Sequence, residues 1–208
     1  MSASEGRTQL ERRSRTRAAL LSAAARGIST YGYANLTLAG VAKEAGYTRG
    51  AIYHQFEGKA ELVLAVVQWV EETWTTEVRD PALAESTPLA SLMALARGHA
   101  IYCRRDVARV MLSLRIEFAG QDHPVGRAVA SVIDVLESDC RTLIAAARRD
   151  GSIPPGPPVR LTAAAFSGVL EAVGIELAGQ APHDVKLMRR AVRGTLGLPA
   201  DELPDPAP

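Results

Sequence analysis

The stretch 37–59, TLAGVAKEAGYTRGAIYHQFEGK, constrains this chain most, because a small residue, a glycine and an aliphatic residue fall at the offsets of two short helices joined by a tight turn. Ala42 is small enough for a second helix to cross the first closely. Gly46 permits the left-handed backbone of a sharp turn, and Ile52 fills the angle between the two helices. Thr37 and Thr48 stand where N-caps belong, each with a hydroxyl that can accept a hydrogen bond from an unpaired backbone N–H. The pattern predicts a helix-turn-helix whose second helix runs from Arg49 to about Gln55.

The same run resembles the DNA-binding domain of the tetracycline-repressor (TetR) family, whose members show Gly-x-[Ser/Thr]-[Lys/Arg]-Gly-x-[Leu/Ile]-Tyr followed by an aromatic residue and a lysine. Gly46, Thr48, Arg49, Gly50, Ile52, Tyr53, Phe56 and Lys59 match it in order. Two positions depart from it: Gln55 stands where members commonly carry His, and Ala39 and Gly40 stand where a basic residue is frequent. The resemblance implies an all-α fold of about nine helices, with an N-terminal three-helix head on a C-terminal helical body. It also implies a homodimer, a near-palindromic double-stranded DNA operator, and a small-molecule effector whose binding releases the operator from a repressor.

Charge is distributed as such a partner would require. The net charge is only +1, but residues 1–60 hold nine Lys and Arg against four Asp and Glu, a local excess of five positive charges. Arg7, Arg12, Arg13, Arg15 and Arg17 crowd the first residues, before a convincing apolar period begins; a solvated tail and a basic arm on phosphates are both open. From Leu20 through Ala24, Ile28 and Tyr31 a helical stripe runs to Gly32, where the first helix should stop.

On the second helix of the motif the expected outward face carries Thr48, Arg49, Gly50, Tyr53 and His54, and with Thr37, Gln55 and Lys59 these are the expected DNA-binding residues. Arg49 suits a guanine edge or a phosphate, and the sequence leaves both open. Gly50 lets the backbone come close to a groove, Tyr53 offers a hydroxyl to a phosphate, and His54 reads equally as a base contact or a solvated residue. Lys59 opens the next helix at its positive end, an unfavourable place for a cation, which suggests an external anion.

Beyond that point the apolar residues keep a helical period. Leu62, Val63, Val66, Val67, Val70 and Trp74 predict one long helix to about Val78, a break follows across 79–88 with Pro81 and Pro88, and three further helices are expected over 89–103, 107–118 and 125–147. A Pro/Gly-rich loop, 151–158, precedes two last helices at about 159–179 and 184–196. The expected division is a head at 1–60 with its basic arm at 1–17, a body at 61–198 and a frayed Pro-rich tail at 199–208.

The segment 161–178 is apolar around most of its circumference, so it is buried on two sides or lies wholly inside one domain. Ala164, Gly168 and Ala172 form a flat strip suited to close helix approach. The family's last two helices build a dimer interface, and on that ground Ala164, Gly168, Ala172, Ile175, Met188 and Val192 are expected there. The resemblance also implies a cavity in the body, for which Trp74, His99, Tyr102, Cys103, Leu114, Glu117 and Phe118 are candidate lining residues, with ordinary core as the alternative.

No G-x-S-x-G, P-loop or H-E-x-x-H motif occurs, so neither catalysis nor a cofactor is expected. His99 and Cys103 lie four apart, half of a metal site, but no second pair stands at ligand spacing and no metal is expected. With no apolar leader and no run of about 18 apolar residues, the expectation is a cytoplasmic protein without a membrane span. Two rival readings remain at this point: a DNA-binding dimer without small-molecule control, its body serving dimerisation or protein contacts, and a small helical enzyme with an accidental helix-turn-helix.

Overall fold

The computed structural model of the chain describes residues 3–105, 107 and 109–199, with side chains from residue 11 onward. Among these residues all regular structure is helical, in nine rods. They are α1 (Ala3–Asn35), α2 (Leu38–Glu44), α3 (Arg49–Tyr53), α4, α5 (Pro88–Tyr102), α6 (Val110–Glu117), α7 (Pro124–Arg149), α8 (Val159–Glu176) and α9 (His183–Thr195). Rod α4 begins as Lys59–Trp74, widens into a π turn at Thr75–Arg79, and ends in the α turn Asp80–Leu83.

Two expectations need correction. The first helix begins at Ala3 rather than near Leu20, so Arg12, Arg13, Arg15 and Arg17 lie along an exposed helical surface. Residues 11–18 carry no apolar period because they lie almost wholly at the surface, while Arg and Ala favour a helix without one. Arg7 lies outside the described side chains, and the tail beyond Pro199 lies outside the described residues. The second correction concerns 79–88: the helix continues through Pro81, because that proline sits at the start of the final turn, where its missing N–H costs little. The true break is 84–87, closed by Thr87, whose hydroxyl accepts from Ala90 N at 3.2 Å and starts α5.

The chain packs as two compact units, 1–72 with 109–131 and 73–108 with 132–208. Packing therefore draws a different line from the expected division at residue 60. In the first unit, Leu20, Ile28, Ile52, Phe56, Leu62 and Leu114 are almost wholly buried. The second has a core of Leu92, Leu95, Ile144, Phe166, Leu170, Met188 and Val192, contributed by α5, α7, α8 and α9. Its rim is tied by two forked ion pairs, Arg79 on Asp139 at 2.6 Å and Arg104 on the buried Asp184 at 2.7 Å. Burial weighs against a charged Asp184, but the Arg104 hydrogen bond outweighs it and holds that carboxyl below the usual carboxylate range.

Candidate nucleic-acid interface

The turn between α2 and α3 closes as the spacing requires. Gly46 has φ 76°, its N–H donates to Lys43 O at 3.1 Å, and Tyr47 N donates to Ala42 O at 2.8 Å. That pair of bonds is a Schellman closure, and it satisfies carbonyls that α2 would otherwise leave open. Thr37 caps α2 through Gly40 N at 3.1 Å, and Thr48 caps α3 through Ala51 N at 3.3 Å. A side chain at position 40 would put its Cβ 2.9 Å from Thr37 Oγ1, so Gly40 keeps that cap intact.

Helix α3 presents one face inward and the other out. Ile52 is fully buried, as is Ala42 on α2, while Thr48, Arg49, Gly50, Tyr53 and His54 are exposed and Gln55 is half-buried. The Arg49 guanidinium carbon lies 5.6 Å from the centre of the Tyr53 ring, so the cation rests along the exposed face of the helix. Of the arm's arginines, Arg17 covers the ring of Phe56 at 4.7 Å. Arg26 holds Glu44 at 2.8 Å, fastening α1 to the end of α2. Lys43, in the last turn of α2, is a further exposed cation that the sequence reading left out. Its position just before the glycine turn was the available signal.

Lys59 departs from the argument made for it. Its ammonium donates to Ala34 O at 2.9 Å and lies 4.3 Å from the Tyr33 ring centre, so an internal carbonyl and an aromatic face supply what an external anion was invoked to supply. An ammonium has three N–H donors, which leaves capacity for a phosphate. Gly32 ends the regular part of α1 as expected, with φ 75° and ψ 174°, and one further turn follows it. Burial, and then the Glu117 carboxylate, raise the Tyr33 phenol above its ordinary range.

Of the seven cavity candidates, the structure brings four together in the second unit. The Trp74 indole donates to His99 Nδ1 at 3.1 Å, and His99 Nε2 lies 3.3 Å from Cys103 Sγ. Because an indole N–H only donates, Nδ1 must accept, and the imidazole proton resides on Nε2. Burial pushes the His99 pKa down to about 4 and the Cys103 thiol up to about 12, so both are neutral at physiological pH. Tyr102 shares a 2.7 Å hydrogen bond with Thr73 Oγ1. Gly174, which the sequence reading overlooked, lets α8 approach here: a Cβ at that position would sit 2.9 Å from Cys103 Sγ. A glycine inside an apolar helix was the signal.

The other three candidates lie elsewhere, in the first unit. Leu114 and Phe118 are buried there, and the Glu117 carboxylate is bound to the backbone of α1, accepting from Tyr33 N and Ala34 N at 2.6 Å each. Among the dimer candidates Ile175, Met188 and Val192 are buried within the chain itself. Ala164 is half-buried, and Gly168 and Ala172 are exposed, with Leu161 and Ala165 on the same outward side of α8. Among the described residues no group of three or more His, Cys, Asp or Glu is placed to hold a metal, and no helix is long and apolar enough to cross a membrane.

Residues 20–66 match the family model described as bacterial regulatory proteins, tetR family. The helix-turn-helix head belongs to the tetR family. Over 58 residues the chain is 50% identical to the HTH-type transcriptional regulator TtgR of Pseudomonas putida, a match that spans 28% of this chain and 28% of that regulator. A longer match, 28% identical over 156 residues, covers 72% of this chain and 52% of the A-factor receptor protein of Streptomyces griseus. In three dimensions a likeness of fold extends past the head. The crystal structure of AibR in complex with isovaleryl coenzyme A and operator DNA superimposes with a TM-score of 0.73, covering 88% of this chain and 98% of that one, at 19% identity. At that identity the likeness is one of fold.

Proposed function

We propose that this chain is a ligand-responsive transcriptional regulator, a repressor, that acts in the cytoplasm and binds a near-palindromic DNA operator as a homodimer. The observation that carries this reading is α3: five outward residues, Thr48, Arg49, Gly50, Tyr53 and His54, on a helix whose inner residue Ile52 is fully buried in a tetR-type head. In this reading α3 enters the major groove, Arg49 contacts a guanine edge or a phosphate, and Tyr53, Lys43 and the free donors of Lys59 lie on the backbone. A dimer sets its two heads on half-sites one helical turn apart, about 34 Å, or a multiple of that.

Two features support the rest of the reading. The outward strip of α8, formed by Leu161, Ala165, Gly168 and Ala172, is apolar and nearly flat, a face that a second copy would cover. The Trp74, His99 and Cys103 cluster gives the body neutral hydrogen-bonding groups in an apolar setting, the chemistry that suits a small-molecule effector. An effector that favours the DNA-free conformation by about 1–3 kcal/mol lowers operator affinity by about fivefold to a hundredfold.

The test is to select bound duplexes from a random pool and then to ask which small metabolites abolish binding to the winners. A two-fold symmetric consensus, with at least one metabolite that releases it, is the expected result. Recovery of duplexes without any consensus would contradict the DNA reading; a consensus that no metabolite affects would contradict effector control.

A further inference from the structure

Immediately after Gly32, one dipeptide is held from three sides. The left-handed kink interrupts the helical ladder of α1, so the N–H groups of Tyr33 and Ala34 open a new turn without intrahelical acceptors. The Glu117 carboxylate takes both, one on each oxygen, at 2.6 Å. On the carbonyl side, Lys59 Nζ donates to Ala34 O at 2.9 Å. The Tyr33 ring packs edge-on against Phe118 at 4.9 Å and His123 at 5.6 Å, and those two rings stack on one another at 4.2 Å. Gly32 is required for this arrangement twice over: its conformation is closed to L side chains, and a Cβ there would stand 3.1 Å from Glu117 Oε2.

From this geometry we infer that Glu117 is a positioning residue for the DNA-binding head, and that release of its carboxylate from Tyr33 and Ala34 is the step by which the body weakens operator binding. The role rests on the DNA-binding reading above. Lys59 is the first residue of α4, and its ammonium donates to Ala34 O, the carbonyl of the residue whose own N–H is held by Glu117. The segment 109–131 that carries Glu117 packs with the head, yet the chain on either side of it, 73–108 and 132–208, belongs to the other compact unit. A change of state in that unit is thus delivered covalently, through both ends of 109–131, to a carboxylate that sets the position of a phosphate-binding cation. An acid that only stabilised the fold would have no reason to alter the electrostatics of DNA binding.

The experiment uses the full chain and a duplex selected from a random pool. Glu117→Gln keeps one acceptor oxygen and sets an amide against the second N–H, so amide exchange at Tyr33 and Ala34 should accelerate. Duplex affinity should fall about tenfold, inside the range of ordinary site-to-site coupling, and the slope of log affinity against log salt should flatten by about one unit as the Lys59 contact is lost. Combined with Lys59→Met, Glu117→Gln should add little further loss, because both remove the same contact. Additive losses, or a variant with wild-type affinity and slope, would overturn the role. Should Glu117→Gln not fold, the wild type decides: reciprocity requires the bound duplex to slow exchange at Tyr33 and Ala34, and unchanged exchange there would overturn the inference. A wild type that prefers no duplex removes the DNA-binding reading itself, and that outcome is distinct from a wild type that binds while Glu117→Gln binds equally well.

Discussion

The head and the core of the body differ in how they use most of their polar side chains. In the head, the Arg26–Glu44 ion pair apart, they cap backbone, as Thr37, Thr48 and Glu117 do, or they are left facing solvent on α3. In the second unit, beside the Thr87 cap, many pair with each other: Trp74 with His99, Thr73 with Tyr102, Arg79 with Asp139, Arg104 with Asp184. A surface that must meet DNA keeps its donors available, whereas a packed body satisfies its own. The difference also separates what a single substitution will do in each region.

The largest expected effect is on the head's packing. Ile52→Ala leaves a cavity under α3 and should cost about 2–5 kcal/mol, read by denaturant unfolding; a loss below about 1 kcal/mol would mean that Ile52 does not fill the angle between the helices. Next comes Gly32→Ala, which forces an L side chain into a region that only glycine occupies freely. It should destabilise by about 1–3 kcal/mol, and a neutral result would show that the kink can relax. Neither change bears on the body's internal pairing.

The body sharpens the contrast through pH. A histidine kept neutral by burial binds fewer protons folded than unfolded. Stability should therefore be complete above the unfolded value near 6.5 and fall as the solution is acidified towards about 4. His99→Gln preserves an acceptor for Trp74 but cannot titrate, so it should flatten the dependence of melting temperature on pH across that window. An unchanged slope would place the acid sensitivity elsewhere. The smallest expected effect on folding is that of Gly168→Arg, which enters open space on the outer side of α8. It should leave the melting of a dilute monomer almost unchanged while raising the dimer dissociation constant by tenfold or more, about 1.4 kcal/mol, as measured by sedimentation. An undisturbed dimer would move the interface off that strip.

How much of this was legible beforehand follows the same contrast. Features that depend on neighbours a few residues away could be read directly: the caps at Thr37 and Thr48, the left-handed Gly46, the buried Ile52, the stop at Gly32, and the helical character of every later segment. The N-terminal extent of α1 was not, because an exposed helix carries no apolar stripe to reveal it. Nor was the partner of Lys59, since Ala34 O lies 25 residues away in sequence and the dipole argument sees only the lysine's own helix. Glu117 was grouped with the cavity candidates as one of their few polar groups; nothing local signals that its carboxylate reaches a kink 84 residues earlier. Met188 and Val192 were expected at a dimer interface because the resembled family's last two helices build one; that they pack into the chain's own core depends on partners distant in sequence.

The central claim is that α3 reads DNA and that two copies do so together. The most direct test is a titration, at about physiological salt, of the purified chain into a selected duplex and into the same duplex with its half-sites scrambled. Two chains per duplex are expected, with a preference of about a thousandfold or more for the selected site. One chain per duplex, or equal affinity for both duplexes, would contradict the account.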